Sequence, residues 1–476
     1  MPAKIYPFYV NNSPTLTKSR LPVYNKHSKE ILAEVSLADE ALIQEAIAGA
    51  FEARKKMASL AAYERREILL HCVSGLKARK AVFSEALCME AGKLLSEAEL
   101  EVARCIHTFE IAAEEAVRIY GEVLPLDIVE RGKGFEGFWK RFPVGVCTFI
   151  TPFNFPLNLA AHKVAPAIAA GCPFILKPAP LTPLTSLMMG EILAETALPP
   201  GGFSIVPCEN AVASALVEDS RINQLSFTGS AAVGFSLKAK AVNKKVTLEL
   251  GGNAACIVEK DADLEYAAER ITVGAFFQAG QSCISVQRIM IHADIYESFK
   301  QKLVERAKKL KTGDPKDLNT TLGPLISEQA AMRVEEWVES AAKTGAKILC
   351  GGKRQGAFFE ATLLEDVPLT HALNCEEVFG PVAILIPYQN FDEALALVND
   401  SAYGLQAGVF SNDLNKTLKA WHELEVGGII VNEIPSWRMD NMPYGGVKKS
   451  GIGREGVRFA LEEFTEIRLL CIRNQS

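Results

Sequence analysis

The sequence predicts an α/β chain built from two doubly wound parallel sheets, with a helical segment ahead of them and a β-hairpin in between. Three observations predict it. The chain has 476 residues, more than one hydrophobic core serves, so two or three domains are expected. From residue 143 onward, short apolar runs alternate with helical stretches, the pattern of βαβ units. Ahead of that, apolar residues recur at three- and four-residue spacing, the pattern of amphipathic helices.

Taken in order, the helical texture runs from Ala38 to Tyr120, opening on A-D-E-A-L-I-Q-E-A-I-A-G-A-F-E-A-R-K-K-M. Two further long helices are expected over 63–91 and 94–119. At Gly121 the texture changes. G-E-V-L-P-L-D-I-V-E-R and G-F-E-G-F-W-K-R-F-P read as two strands joined by the turn R-G-K-G. The first alternating region holds V-G-V-C-T-F-I, P-F-I-L-K-P, I-N-Q-L-S-F-T-G-S and K-V-T-L-E-L-G-G. The second, from about 253 to 447, holds A-A-C-I-V, Q-R-I-M-I-H, A-K-I-L-C-G-G, V-A-I-L-I-P-Y, A-G-V-F-S and G-G-I-I-V-N. The chain closes on F-T-E-I-R-L-L-C-I-R, read as an edge strand. No internal repeat stands out.

Composition narrows the function classes. There are 51 basic and 57 acidic residues, a net charge of −6, so no general basic field invites nucleic acid or anionic membrane. No apolar run is long enough for a membrane span, and the N-terminus has no secretory pattern. The 11 cysteines are scattered, with no CxxC and no zinc-ligand spacing. They read as reduced thiols of a cytoplasmic protein, and no metal is expected.

Four stretches carry candidate chemistry. T-P-F-N-F-P, 151–156, follows a strand; its two prolines stiffen the loop, and the Asn154 amide there is either a turn residue or an oxyanion donor. L-E-L-G-G, 248–252, puts Glu249 in an apolar strand, where a carboxylate has a raised pKa suited to a general base or else pairs with a cation. Q-A-G-Q-S-C-I-S-V-Q-R places Cys283 in a polar turn. It is either one more small hydrophobe or a nucleophile, and a free thiol is mostly protonated at neutral pH unless a helix end or base intervenes. E-E-V-F-G-P-V, 376–382, is a loop with an acidic pair and an aromatic, Phe379, that also suits the core.

Together with I-L-K-P-A-P-L-T-P, F-T-G-S-A-A-V-G and P-Y-G-G-V-K-K-S-G-I-G-R-E-G, these stretches occur in one order. Over nearly its whole length the chain resembles the aldehyde dehydrogenase superfamily, and Glu249 precedes Cys283 at that family's spacing. The resemblance implies an aldehyde-dehydrogenase-like fold: a dinucleotide-binding domain over 1–120 and 143–251, a catalytic domain over 252–447, and an oligomerisation arm over 121–142 and 458–476. A homodimer or dimer of dimers follows. The implied reaction starts with attack of the Cys283 thiolate on an aldehyde. The Asn154 amide and the Cys283 backbone N–H hold the oxyanion, hydride passes to NAD(P), and Glu249 activates the water that hydrolyses the thioester. Ile150, Thr151, Pro152 and Phe153 are expected on the nicotinamide–ribose side, Glu377 on that ribose and Phe379 near the ring. Lys177, Ala179 and Pro180 fall to the adenosine ribose. Gly229 and Ser230 suit the pyrophosphate at a helix N-terminus, with Phe227, Gly234 and Leu250 around them. No G-x-G-x-x-G occurs, and this family does not use one.

The chain departs from the family pattern in places that bear on specificity. Strictly NAD-using members often carry a Glu where this chain has Pro180. Its repulsion of a 2′-phosphate is absent, so NAD is favoured and NADP is left open. His162 stands on the helix expected to line the substrate tunnel, where apolar-aldehyde members tend to have an aromatic and succinic-semialdehyde members an arginine. Arg438, in I-P-S-W-R-M-D-N-M, offers a planar fork for carboxylate, phosphonate, sulfonate or phosphate. Its loop resembles that of members acting on lactaldehyde-, phosphonoacetaldehyde- or glyceraldehyde-3-phosphate-like substrates. Arg104 and Arg288, the latter weighted below Arg438, are further candidates. The expected substrate is a small aldehyde with an anionic or hydroxylated tail. A CoA-acylating enzyme is the alternative, disfavoured by the presence of Glu249. A broad-range enzyme for neutral aldehydes and a non-catalytic scaffold protein are the others.

Overall fold

A computed structural model describes residues 4–474. Its largest sheet has eight strands, in the order Gly451–Ile452, Lys245–Glu249, Ile222–Thr228, Val146–Ile150, Phe174–Lys177, Phe203–Ile205, Phe8–Val10, Ser13–Thr15. The inner strands, from Lys245–Glu249 to Phe203–Ile205, are parallel, and the outer ones run against their neighbours. Parallel strands covered by helices on both faces must be apolar throughout, and Val146, Cys147 and Phe149 are accordingly fully buried. The chain order reverses at Val146–Ile150, which lies between Phe174–Lys177 and Ile222–Thr228. The crevice beyond the carboxyl ends of such a pair is where doubly wound sheets bind ligands.

The second sheet has seven strands, in the order Lys347–Cys350, Thr362–Glu365, Val382–Tyr388, Arg288–His292, Ala255–Val258, Gln406–Phe410, Gly428–Val431, all parallel except the first. Each sheet has its own apolar core. A third sheet stands apart, with Phe135–Pro143 between Gly121–Pro125 and Thr465–Arg473, all antiparallel. Among the described residues no helix is long and apolar enough to cross a membrane.

The two doubly wound sheets and the hairpin appear as the sequence reading expects, and the closing segment does form an edge strand. Three local expectations are corrected. The helix expected over 63–91 is two, Ala62–Ala78 and Lys80–Ala91, broken at Arg79, whose backbone (φ −108°, ψ 15°) leaves the helical range. The next helix, Leu95–Glu115, ends short of 119. Residues 457–463, mostly within the stretch expected to close on an edge strand, form a helix that buries Val457, Ala460 and Leu461 in the first core, and the edge strand begins at Thr465. The strands of the first 36 residues had escaped the reading; they are short and interrupted by Pro14 and Pro22, which hides the alternation.

A fully buried ion pair ties the N-terminal helices to the rest. Lys93 Nζ lies 2.5 Å from Glu101, with neither side chain exposed. Glu101 in turn accepts the backbone N–H groups of Leu157 and Asn158, each at 3.0 Å, at the start of helix Asn158–Ala170. A carboxylate there caps free N–H groups and meets the positive end of the helix dipole. Removing one partner of a buried pair leaves an uncompensated charge. Lys93→Met is therefore expected to cost roughly 3–5 kcal/mol, read as a lower urea midpoint. Lys93→Met with Glu101→Gln, which keeps the capping oxygen and removes the charge, should recover part of that loss.

Candidate active site

The site lies between the carboxyl ends of the first sheet and the amino ends of the second. The loops after Val146–Ile150 and Ile222–Thr228 meet the segments that precede Ala255–Val258, Arg288–His292 and Val382–Tyr388. Between them is a cavity of about 850 Å³, well within the range of cofactor and ligand sites. Cys283, Glu249 and Asn154 all line it.

The turn carrying Cys283 has an unusual backbone. Helix Leu264–Phe276 ends, and Gln278, Ala279 and Gly280 then take positive φ of 51°, 53° and 70°. The left-handed region is uncommon for residues other than glycine. Buried side chains hold this geometry: the Gln278 backbone N–H donates to Glu97 at 2.7 Å, and its side-chain oxygen accepts from Lys93 Nζ at 2.9 Å. The Gln278 amide also donates to the Asn154 carbonyl. The loop bearing the amide and the loop bearing the thiol are therefore fastened to each other.

Cys283 is partly buried, and its Sγ lies 2.9 Å from the Tyr444 hydroxyl. Burial pushes its thiol up to about 12, and the Tyr444 contact works against that shift. A thiol so raised is protonated at neutral pH. Asn154 Nδ2 donates to the Gln281 carbonyl at 3.0 Å, which aims the amide and leaves its second N–H free. Glu249 ends its strand inside the cavity wall, and neither of its oxygens has a partner among the described residues. Burial first, then the Glu455 charge, raises its pKa well above the ordinary carboxylate value, as its apolar strand predicts. Behind it, Lys163 Nζ donates to Glu455 at 2.7 Å and to Ser226 at 2.8 Å, a buried pair absent from the sequence reading.

The cofactor candidates fall into three groups. Pro152, Phe153, Gly229, Ser230, Leu250, Glu377 and Phe379 line the cavity. The Phe153 and Phe379 rings meet edge to face at 5.7 Å. Glu377 accepts from the Gly252 N–H at 3.1 Å, and burial raises its carboxyl to about 7. Ile150, Thr151, Phe227 and Gly234 sit under this surface; a Cβ on Gly234 would come within 2.5 Å of Leu250. Lys177, Ala179 and Pro180 continue along the neighbouring strand end, outside the cavity lining. The residues present fit a dinucleotide: they stand at the switch-point crevice, the free N–H groups of helix Ala231–Lys240 begin there, and the buried Thr228 hydroxyl has no partner among the described residues.

The substrate candidates divide as well. Arg104 and Arg438 line the far end of the cavity with Asp440. Asp440 accepts from Arg104 at 2.7 Å and from His162 Nε2 at 2.9 Å. Burial works against its charge, yet His162 and Arg104 hold the carboxyl well below its usual range. The Nε groups of Arg104 and Arg438 are buried without a partner among the described residues. Two expectations are corrected. His162 is 1% exposed and stands behind the wall rather than in it; burial and the Arg438 charge keep its pKa low. Arg288 points away, donating to the carbonyls of Asn253, Leu397 and Val398 at 3.0, 3.0 and 3.1 Å. It caps the end of helix Phe391–Asn399, and those carbonyls take up its fork. Sequence reasoning missed Leu100, Ala103 and His107, which line the wall beside Arg104. Their spacing along the helix, three and four residues apart, was the signal.

A thiol, an orphaned carboxylate and an aimed amide around one cavity, beside a dinucleotide-shaped crevice, are the parts of an oxidoreductase that works through a covalent cysteine adduct. Comparison with known proteins makes the assignment specific. The chain belongs to the aldehyde dehydrogenase family, whose pattern residues 13–470 match. It is 45% identical over 470 residues to the 3-sulfolactaldehyde dehydrogenase of Priestia megaterium, covering 98% of both chains. It is 38% identical to the lactaldehyde dehydrogenase of Methanococcus aeolicus, covering 98% of this chain and 99% of that one. Among solved structures it matches aldehyde dehydrogenase 21 of Physcomitrella patens, in complex with the reaction product succinate, with a TM-score of 0.98 and 47% identity over 100% of this chain and 99% of that one.

The nucleophile turn provides a test. Gly280 has φ +70°, and a Cβ there would lie 2.1 Å from the Gly380 carbonyl oxygen. Gly280→Ala must therefore displace the turn. Misplacing a reacting group by about 1 Å costs on the order of 10²-fold in rate, so a kcat loss of that order is expected with little change in dinucleotide affinity by fluorescence titration.

Proposed function

We propose that the chain oxidises a small aldehyde with an anionic or hydroxylated tail to the carboxylic acid, with hydride transfer to NAD(P). One observation carries the substrate class: Arg104 and Arg438 both line the cavity, each with a buried Nε that has no partner among the described residues, and Arg104 pairs with the carboxylate of Asp440 in the same wall. A guanidinium fork left partly free in a buried wall favours a planar anion. Asp440, a hydrogen-bond acceptor in the same wall, suits a hydroxyl beside it. The names of the relatives, 3-sulfolactaldehyde and lactaldehyde dehydrogenases, point the same way.

In this reading Cys283 loses its proton and adds to the aldehyde carbon. The free N–H of the Asn154 amide and the Cys283 backbone N–H meet the oxygen that becomes negative. When bound, the dinucleotide supplies the hydride acceptor that leaves a thioester on Cys283. Pro152, Phe153, Gly229, Ser230, Leu250, Glu377 and Phe379 are the residues that would hold it. Glu249 then takes a proton from the attacking water. NAD is favoured and NADP is left open, because Pro180 carries no charge that would repel a 2′-phosphate. The arm joins copies of the chain. Thr465–Arg473 has one unpaired edge and exposes Ile467, Leu469, Leu470 and Ile472, a surface that sheet proteins otherwise protect. The 11 cysteines are all free, in keeping with a reducing cytoplasm.

Three measurements bear on this reading. Arg438→Ala is expected to raise KM for the best anionic aldehyde about tenfold, roughly 1.4 kcal/mol, while KM for a neutral alkyl aldehyde holds and any loss in kcat is common to both. An unchanged KM sinks the anion site. For the base, ionisation is required and the folded pKa is raised. The carboxylate fraction therefore grows with pH only above the ordinary carboxylate range. Thioester hydrolysis should rise through neutral pH, and Glu249→Gln should abolish that rise and slow turnover about 10²–10⁴-fold after a burst of reduced cofactor. Pro180→Glu should cut kcat/KM for NADP about tenfold while that for NAD holds.

A further inference from the structure

Tyr444 has no part in the reaction described above, yet among the described residues its hydroxyl is the hydrogen-bond partner of the Cys283 Sγ, at 2.9 Å. We propose that Tyr444 is a positioning residue that donates its phenolic O–H to the Cys283 sulfur, fixing the direction of the nucleophile and stabilising its thiolate inside the cavity. The inference rests on Cys283 being the nucleophile.

The placement of the ring supports a built donor. Tyr444 is 4% exposed and packs with Ile284 and Leu405 around Cys283. Its backbone is bridged to Glu455 in both directions, at 2.9 and 2.6 Å, so the ring cannot drift from the turn it faces. The Arg438 guanidinium lies 3.7 Å above the ring centroid. A cation over the ring draws on its π-electrons and makes the phenol a stronger donor. The direction of donation follows from ordinary acidities: a phenol, near 10, holds its proton more firmly than a thiol, near 8.5, so the thiolate form pairs with an intact O–H.

Four groups from three segments bear on the sulfur. Glu249 at its strand end and Glu377 in its loop disfavour a thiolate; Tyr444 and Arg438, both in the segment after Ile434, favour it. Tyr444 is the one in hydrogen-bond contact. Without it, the thiolate would face two carboxylates in a dry wall. A hydrogen bond to a charged acceptor contributes more than a neutral one.

The test uses the full-length protein without aldehyde. The rate of Cys283 alkylation by iodoacetamide, read on the Cys283 peptide by mass spectrometry, is followed across neutral and mildly alkaline pH in wild type and Tyr444→Phe. The phenylalanine ring keeps the packing. Alkylation is expected to slow about tenfold at each pH, the equivalent of one unit in thiol pKa, with unfolding temperature and NAD(P) affinity held. Replacing Tyr444 by 3-fluorotyrosine, a more acidic phenol, should speed alkylation and guards against a folding defect in Tyr444→Phe. Superimposable curves for the wild type and either variant overturn the proposal and leave Tyr444 a packing residue. Failure of the underlying reading looks different: Cys283→Ser would retain aldehyde turnover.

Discussion

The backbone of the turn Gln278–Gly280 is the constraint on which the site depends. Consecutive left-handed residues, two of them not glycine, are not a conformation the chain adopts by local preference. They persist because buried donors and acceptors surround them: Glu97 on the Gln278 N–H, Lys93 and the Asn154 carbonyl on its side chain. The same Lys93 is balanced by Glu101, which caps the helix carrying His162 and Lys163. One connected set of polar contacts thus fixes the thiol turn, the amide loop and the helix behind the cavity. Its members lie far apart in sequence. The helices between Glu40 and Glu115 therefore do more than cover the first sheet, since they hold the cavity loops of both sheets in one register.

Behind the cavity wall the charges are layered. Lys163 with Glu455, and Arg104 with His162 and Asp440, form two compensated groups, and Arg438 stands between them, 3.9 Å from Glu455 and 3.5 Å from His162. In a medium of low dielectric an uncompensated charge is costly, so each carboxylate adopts the state its neighbours permit. Asp440, paired with the Arg104 cation and hydrogen-bonded to the His162 ring, is held ionised. Glu249 has no hydrogen-bond partner and feels Glu455, so its protonated form gains. Two acidic side chains of the same cavity are driven in opposite directions by what surrounds them, which is how one pocket comes to hold both a fixed anion and a titratable base.

Much of this was legible in the sequence, and the limits have physical reasons. The strands Val146–Ile150, Lys245–Glu249 and Arg288–His292 were readable because parallel strands buried on both faces are continuous apolar runs. Phe8–Val10 and Ser13–Thr15 were not, being three-residue edge pieces. Cys283, Glu249 and Asn154 were found through motif order, and they do line one cavity. Arg288 misled because spacing along a strand gives a face only once the neighbouring elements are known. His162 misled by degree: it stands on the right helix but one layer back, behind Asp440. Lys93, Glu101 and Tyr444 were invisible as a set, because each looks ordinary in its own stretch and acquires meaning only through contacts with distant segments.

The protonation states bear on how the cavity begins a reaction. Cys283, Glu249 and Glu377 all have pKa values raised chiefly by burial. A wall of this kind resists adding net negative charge, and each further ionisation is opposed by those already present. Releasing the thiol proton to bulk water would add one charge. Passing it to an ionised Glu249 adds none, because one anion replaces another within the same cavity. The thiolate is then formed at constant net charge, and its remaining cost falls on local solvation, which the Tyr444 hydroxyl and the Arg438 cation supply from the opposite side. When the acyl group later occupies Cys283, that sulfur carries no charge, and the carboxylate of Glu249 becomes easier to restore as a base. In the proposed reaction the thiol step thus leaves the charge of the buried pair unchanged, and acylation of the sulfur removes the charge that opposes ionisation of Glu249.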